Sequence, residues 1–217
     1  MITIIDYQIS NLFSVQHACE YLGLEAEISS DKKKLLASEA AILPGVGAFG
    51  DAMQNLQKLD LIGPIKEFIA SGKPFMGICL GLQLLFSESE EFGSHEGLNI
   101  IPGKVVKFPA KNKAEQRVRI PQIGWNQIYE PKKGKWAHTP LAALPNREFM
   151  YFVHSYYVSP TDKEVVLSLT DYQGIEYCSS LFQDNIFAAQ FHPEKSGAEG
   201  VKIYRDWLTA GMGATHL

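Results

Sequence analysis

The sequence predicts an α/β protein built on a doubly wound mixed sheet, parallel in its N-terminal half and continued by antiparallel strands in its C-terminal half. Three observations carry that expectation. Residues 1–87 alternate short apolar runs with amphipathic segments, the pattern of parallel strands joined by covering helices. From about Gly103 to Gln190 the β-like runs are separated by Gly, Pro and Asn, as in strands joined directly by turns. The length of 217 residues, 46% hydrophobic and 20% charged, suits one compact domain over 1–217 with an ordinary core.

The parallel strands are expected at residues 2–5, 24–28, 40–43 and 74–78. Ser10 is placed to cap a helix from about Asn11 to Tyr21, in which Leu12, Val15, Cys19 and Leu22 recur at helical spacing and Gly23 acts as the stop. Cys19 on that stripe reads as core packing. The later strands are expected at 104–108, 149–153, 165–169, 175–182 and 186–191, extending the same sheet. Asp171-Tyr172-Gln173-Gly174 reads as a hairpin turn and residues 196–210 as a closing helix. Cys178 falls inside a strand and is expected to be structural. No repeat or linker asks for a second domain, and the Lys-rich stretch 131–135 reads as a solvated loop.

A formal charge of −4 and only one short basic run, Lys32-Lys33-Lys34, exclude a general affinity for nucleic acid. The opening Met1-Ile2-Thr3-Ile4-Ile5-Asp6 reads as a strand rather than a leader, and no window is long enough to span a bilayer, so a cytoplasmic location is expected. Three cysteines without a C-x-x-C pair imply neither a disulfide framework nor a zinc site. His17, His95, His138 and His154 are scattered without ligand spacing, so no metal and no cofactor are expected.

Chemistry concentrates in three segments. In the first, Gly77-Ile78-Cys79-Leu80-Gly81 joins an apolar strand to an apolar helix, the cysteine version of a nucleophile elbow. Glycines flank the nucleophile because a Cβ there would crowd the neighbouring strand or helix. Cys79 then projects at the carboxyl end of the sheet and at a helix N-terminus, where the dipole and free N–H groups favour a negative sulfur. The N–H of Leu80 is the first of the donors for an oxyanion. Alone, the pentapeptide is equally consistent with a small buried cysteine between packing glycines.

The second segment, Gln190-Phe191-His192-Pro193-Glu194-Lys195-Ser196, ends a β-like run with His and Glu two residues apart. On an extended backbone those side chains leave the same face, so Glu194 can orient one imidazole nitrogen while the other faces Cys79. The third, Pro44-Gly45-Val46-Gly47, lies between a strand and a helix. It lacks the Lys and the spacing of a phosphate loop, and an oxyanion loop fits it better than a plain glycine turn.

Taken together and in this order, the three segments resemble the class I glutamine amidotransferases, whose fold is flavodoxin-like with helices on both faces of a mixed sheet. Ile123-Gly124-Trp125-Asn126 and Tyr151-Phe152-Val153-His154-Ser155-Tyr156 narrow the resemblance, over essentially the whole chain, to the branch that forms the glutaminase subunits of imidazole glycerol phosphate synthases. Relatives serving anthranilate or aminobenzoate synthesis usually carry Pro where Val46 stands.

The resemblance implies that Cys79, His192 and Glu194 form a catalytic triad hydrolysing glutamine. It places Gly45, Val46, Gly47 and Leu80 at the oxyanion, and Gly47, Gln83, Ser155 and Tyr156 around the glutamine. It also implies a heterodimer in which the ammonia passes to a cyclase subunit of (β/α)8-barrel type, with Asn11, Trp125, Tyr151 and Lys195 at the partner interface. Residue type alone assigns Trp125 to a core, Tyr151 to strand packing, Lys195 to solvent and His154 to the sheet. One departure stands out: family members commonly carry a glycine-rich stretch before the position of Asn11, where this chain has Asp6-Tyr7-Gln8-Ile9-Ser10. That leaves open a sister branch supplying ammonia to another synthase, for example in amino-sugar formation. A catalytically idle regulatory subunit and a cysteine hydrolase of other substrates are the remaining alternatives.

Overall fold

A computed structural model of the chain describes residues 1–8 and 11–210. The N-terminal half runs β1 (Ile2–Ile5), α1 (Leu12–Tyr21), β2 (Ala26–Ser29), α2 (Lys32–Ala37), β3 (Ala40–Leu43), α3 (Phe49–Lys58), α4 (Ile62–Ala70), β4 (Phe75–Ile78), α5 (Leu80–Leu84) and β5 (Phe86–Ser89). It continues with β6 (His95–Glu96), β7 (Ile101–Lys107), β8 (Gln122–Gln127), β9 (Phe149–His154), β10 (Tyr156–Pro160), β11 (Val166–Tyr172), β12 (Ile175–Gln183), β13 (Ile186–Ala189) and α6 (Gly197–Ala210). Among the described residues no helix is long and apolar enough to cross a membrane.

The main sheet has the order β2-β1-β3-β4-β13-β12-β10-β7-β5-β6, with β11 paired to β12. Strands β2, β1, β3, β4 and β13 are parallel, while β12, β10 and β7 follow with antiparallel pairings. All four residues of β1, β3, β4 and β13 are buried, as strands covered on both faces require. Successive residues of β3 feed opposite layers: Ala41 and Leu43 pack with Phe49, Phe68 and Phe75, whereas Ala40 and Ile42 pack with Val15, Phe187 and Trp207.

Boundaries moved where backbone hydrogen bonds overrule side-chain pattern. Strand β2 starts at Ala26 rather than 24, because the Leu24 N–H still bonds to the Cys19 carbonyl in the exit from α1. Asn11 precedes α1 in a left-handed conformation (φ 85°) and makes no side-chain cap, while Ser10, expected to cap it, lies outside the described residues. The lysine run forms the start of α2, whose N-terminus is capped by Asp31 accepting from Lys33 and Lys34 N–H groups. Cys19 and Cys178 are both buried, and burial raises each thiol to about 12, consistent with packing roles. The β11–β12 hairpin turns through Gln173 and Gly174, both at positive φ.

One expectation for the C-terminal half needs correction. Strands β8 and β9 do not extend the main sheet but form a separate two-stranded antiparallel ribbon. Met150, Phe152 and His154 of β9 are buried, whereas Ile123, Trp125 and Phe149 on the other face stay exposed. The apolar run at 149–153 marks β9 as a strand, but nothing local to it specifies β8, rather than the main sheet, as its partner.

Candidate active site

The Cys79 and His192 segments meet because their strands are neighbours. Strands β4 and β13 pair in parallel with Ile78 opposite Ala189, so both segments leave the same carboxyl end. Cys79 itself adopts φ 55°, ψ −105°, a strained conformation for a residue with a side chain, and its N–H is held by the Ala189 carbonyl at 2.7 Å. Gly81 is obligatory for this turn: a Cβ there would lie 1.7 Å from the Leu43 carbonyl oxygen. At Gly77 it would press on Ala188 and the Gly81 backbone at 3.1 Å.

His192 Nδ1 lies 2.8 Å from Glu194 Oε1, with both side chains fully buried. The pairing matches the expectation, but the local geometry does not. Residues Pro193–Lys195 form a 3₁₀ turn rather than continuing the strand, since Pro193 fits the first position of a helical turn. With Nδ1 held, Nε2 is the nitrogen left for the Cys79 side. Burial opposes the imidazolium, yet the Cys79 sulfur and the Glu194 carboxylate outweigh it and raise His192 to about 10. Burial likewise opposes the Glu194 carboxylate, but His192 and Asn11 hold it below the usual range. Asn11 Nδ2 donates to Glu194 Oε1 at 2.7 Å, so this residue, expected at a partner surface, turns its amide inward onto the carboxylate. Ser196, not singled out from the sequence, donates to the His192 carbonyl at 2.6 Å and accepts from the Tyr151 N–H at 2.9 Å.

Cys79 opens onto a pocket of ≈ 290 Å³ that also meets Gly47, Gln83, Ser155 and Tyr156. The four residues that resemblance assigns to glutamine are therefore brought together around the sulfur, in a volume suited to a small ligand. The pocket also contains Glu91, which sequence reasoning missed inside the acidic run 88–91. Its carboxylate accepts the Phe49 N–H at 2.7 Å and supplies a negative charge at the pocket wall. His154 is a buried sheet residue, as expected: its Nδ1 donates to the Tyr156 carbonyl oxygen at 2.8 Å, and burial lowers its pKa to about 4.

Val46, Gly47 and Leu80 line the same pocket, but the oxyanion donors are not assembled. The Leu80 N–H donates to the Gly45 carbonyl at 3.4 Å, so this loop presents an oxygen where an N–H was expected. A trans peptide points its C=O and N–H in opposite directions, which turns the Val46 N–H away from the elbow. Tyr7 fixes the loop from below, its buried hydroxyl donating to the Pro44 carbonyl at 2.7 Å. That contact explains Gly45, where a Cβ would come 2.2 Å from the Tyr7 oxygen.

Beside the pocket, the outer face of the β8–β9 ribbon exposes Ile123 (63%), Trp125 (56%) and Phe149 (50%). Trp125 stacks edge-on against Tyr151, with ring centroids 6.2 Å apart. A core role for Trp125 is thereby overturned, while Lys195 is exposed as its residue type suggested.

The chain resembles known proteins in sequence and in fold. The sequence profile of the family described as "Glutamine amidotransferase class-I" matches residues 3–210. The chain is 50% identical to the imidazole glycerol phosphate synthase subunit HisH of Rhodopirellula baltica, covering 97% of this chain and 98% of that protein. It is 46% identical to the protein of the same name from Syntrophotalea carbinolica, covering 95% and 98%. In fold it resembles a crystal structure of a glutamine amidotransferase (TM-score 0.72, 17% identity, 97% and 99% covered) and PurLQS from Thermotoga maritima (TM-score 0.70, 20% identity, 96% and 97% covered).

Proposed function

The chain belongs to the class-I glutamine amidotransferases, and on that premise we propose that it is the glutaminase subunit of an imidazole glycerol phosphate synthase. The observation that carries this reading is the buried His192–Glu194 pair on the strand beside that of Cys79, whose sulfur opens onto one small pocket, in a chain 50% identical to such a subunit. The relatives' names favour this branch over a sister branch serving amino-sugar formation.

Glutamine enters the pocket with its α-ammonium toward Glu91 and its carboxamide over Cys79. The sulfur attacks the carboxamide carbon, and His192 delivers a proton to the nitrogen as the C–N bond breaks, releasing ammonia and leaving a thioester. His192 then takes a proton from water, which attacks the thioester carbon; the C–S bond breaks and glutamate departs. Glu194 holds the imidazole orientation through both steps, and Asn11 holds Glu194. The developing oxyanion needs the Leu80 N–H and a second donor from the 45–47 loop, so the Gly45–Val46 peptide must reorient.

The ammonia is passed to a cyclase subunit of (β/α)8-barrel type, which docks on the ribbon face carrying Trp125 and Tyr151, with Lys195 beside it. The test is glutamate release from glutamine by the wild type and Cys79→Ala, with and without the cyclase and its imidazole precursor. Release that needs Cys79 and rises with cyclase and precursor supports the assignment; Cys79-dependent release indifferent to that cyclase points to a different synthase, and no release under any condition overturns glutaminase function.

A further inference from the structure

Gln190 is completely buried at the end of β13, one residue short of the phenylalanine that precedes His192. Its backbone N–H is satisfied by the Ser179 carbonyl at 2.9 Å, which fixes where its side chain starts. That side chain has two neighbours: Gln83 Nε2 at 3.0 Å from its Oε1, and the Cys79 sulfur at 3.6 Å from its Nε2. Neither the triad chemistry nor the oxyanion loop accounts for it.

The direction in which this amide points follows from a group that cannot be reversed. A backbone carbonyl only accepts, and the Tyr156 carbonyl oxygen lies 3.0 Å from the Gln83 amide, so the facing atom must be the Gln83 nitrogen. The same Nε2 has a second hydrogen, and the Gln190 atom it meets must accept it. That atom is therefore Oε1, and the other end of Gln190, the one facing sulfur, is an N–H donor. His154 reinforces the origin of the chain by donating to the same Tyr156 carbonyl. Polarity is thus transmitted from one main-chain oxygen through two buried amides to the nucleophile.

We propose that Gln190 is a positioning residue for the nucleophile: through an amide N–H whose orientation is imposed by Gln83 and the Tyr156 carbonyl, it holds the Cys79 sulfur toward the base and supports it while negative. This inference rests on the glutaminase reading for its turnover assay but not for its chemical probe. An N–H bonds more strongly to an anionic sulfur than to the neutral sulfur of a thioester. The contact accordingly acts in the attack and again when sulfur leaves the thioester, and contributes little to holding free glutamine.

The experiment uses the full chain in complex with its cyclase and two variants of similar size, Gln190→Glu and Gln190→Met. Glu keeps an acceptor for Gln83 but offers sulfur a carboxylate oxygen; Met offers neither donor nor charge. Two quantities are read: kcat and KM for glutamine, and the rate at which iodoacetamide alkylates Cys79 without glutamine. A hydrogen bond to a charged group implies a fall in kcat and in alkylation rate of about ten- to hundredfold for Glu, a smaller fall for Met, and KM within about threefold of wild type. Far-UV circular dichroism and complex formation check folding, and if Glu does not fold, Met carries the test. Wild-type alkylation rates in the folded variants overturn the proposal, as does a loss confined to KM. A wild type that is alkylated but releases no glutamate refutes the glutaminase reading instead, and the alkylation rates still decide the role of Gln190.

Discussion

The Gly45 carbonyl oxygen accepts the Leu80 N–H at 3.4 Å, occupying the donor nearest the nucleophile with a backbone acceptor. An oxyanion formed on Cys79 in this arrangement would face an oxygen instead of a second N–H. Loss of one such donor lowers kcat by about 10²–10³. The isolated chain is therefore predicted to release glutamate at least about a hundredfold more slowly than the complex supplied with cyclase precursor. Equal turnover in the two states would show that no rearrangement of this loop is needed.

Tyr7 and Gly45 form a size-matched pair. Gly45→Ala is expected to destabilise the chain by about 1–3 kcal/mol, because its methyl group meets the Tyr7 hydroxyl oxygen at 2.2 Å. Adding Tyr7→Phe removes that oxygen and should restore part of the loss, leaving the Leu80 Cβ contact at 3.1 Å. Thermal unfolding of the two single variants and the double variant measures the coupling; additive effects would mean the two sites do not meet.

Two glycine-to-alanine changes should differ sharply in their effect on stability. Gly81→Ala places a Cβ 1.7 Å from the Leu43 carbonyl oxygen and is expected to abolish soluble folded protein. Gly63→Ala meets nothing within 4 Å in the first turn of α4, but a Cβ on the helical residue before Pro64 is disfavoured, so it should change stability by less than about 1 kcal/mol. Soluble yield and unfolding midpoints report both.

The His192–Glu194 pair makes stability depend on pH in a defined sense. His192 is raised from its ordinary 6.5 to about 10, so its contribution is complete below 6.5 and fades as pH rises toward 10. Glu194 is lowered, so its contribution is present above its ordinary 4.5 and is lost as pH falls below that. The stability lost in Glu194→Gln should be largest near pH 5–6.5 and shrink on either side, read from unfolding midpoints across pH. A difference that does not vary with pH would mean the pair is not ionic.

Trp125→Ala should weaken cyclase binding by about 2 kcal/mol or more, as expected of an aromatic anchor, while leaving the unfolding midpoint of the isolated chain unchanged. Its 56% exposure in the free chain is the reason for the second half of that expectation. Titration calorimetry and thermal unfolding separate the two effects.

The elements marked by residue type and local pattern were legible in the sequence: the apolar runs of the parallel strands, the turn at Gln173-Gly174, and the glycine-flanked elbow around Cys79. What could not be read depended on long-range partners. Glu91 looks like one more surface acid until the fold sets it against Phe49 and the pocket. Asn11 shows its bond to Glu194 only when α1 is brought beside the 3₁₀ turn 183 residues away in sequence. Gly45 signalled an oxyanion loop, but which way its peptide faces depends on Leu80 and Tyr7.

The strand that bears the exposed aromatic face is also tied to the candidate base: the His192 N–H donates to the Tyr151 carbonyl at 2.9 Å, and Ser196 links the Tyr151 N–H to the His192 carbonyl. A partner pressing on the ring of Tyr151 would therefore push on the same peptide that sets the height of the imidazole above the sulfur. Signal and chemistry are separated here by a single residue's backbone, so a displacement of a few tenths of an ångström at the surface needs no relay through the core to be felt at the reacting atoms.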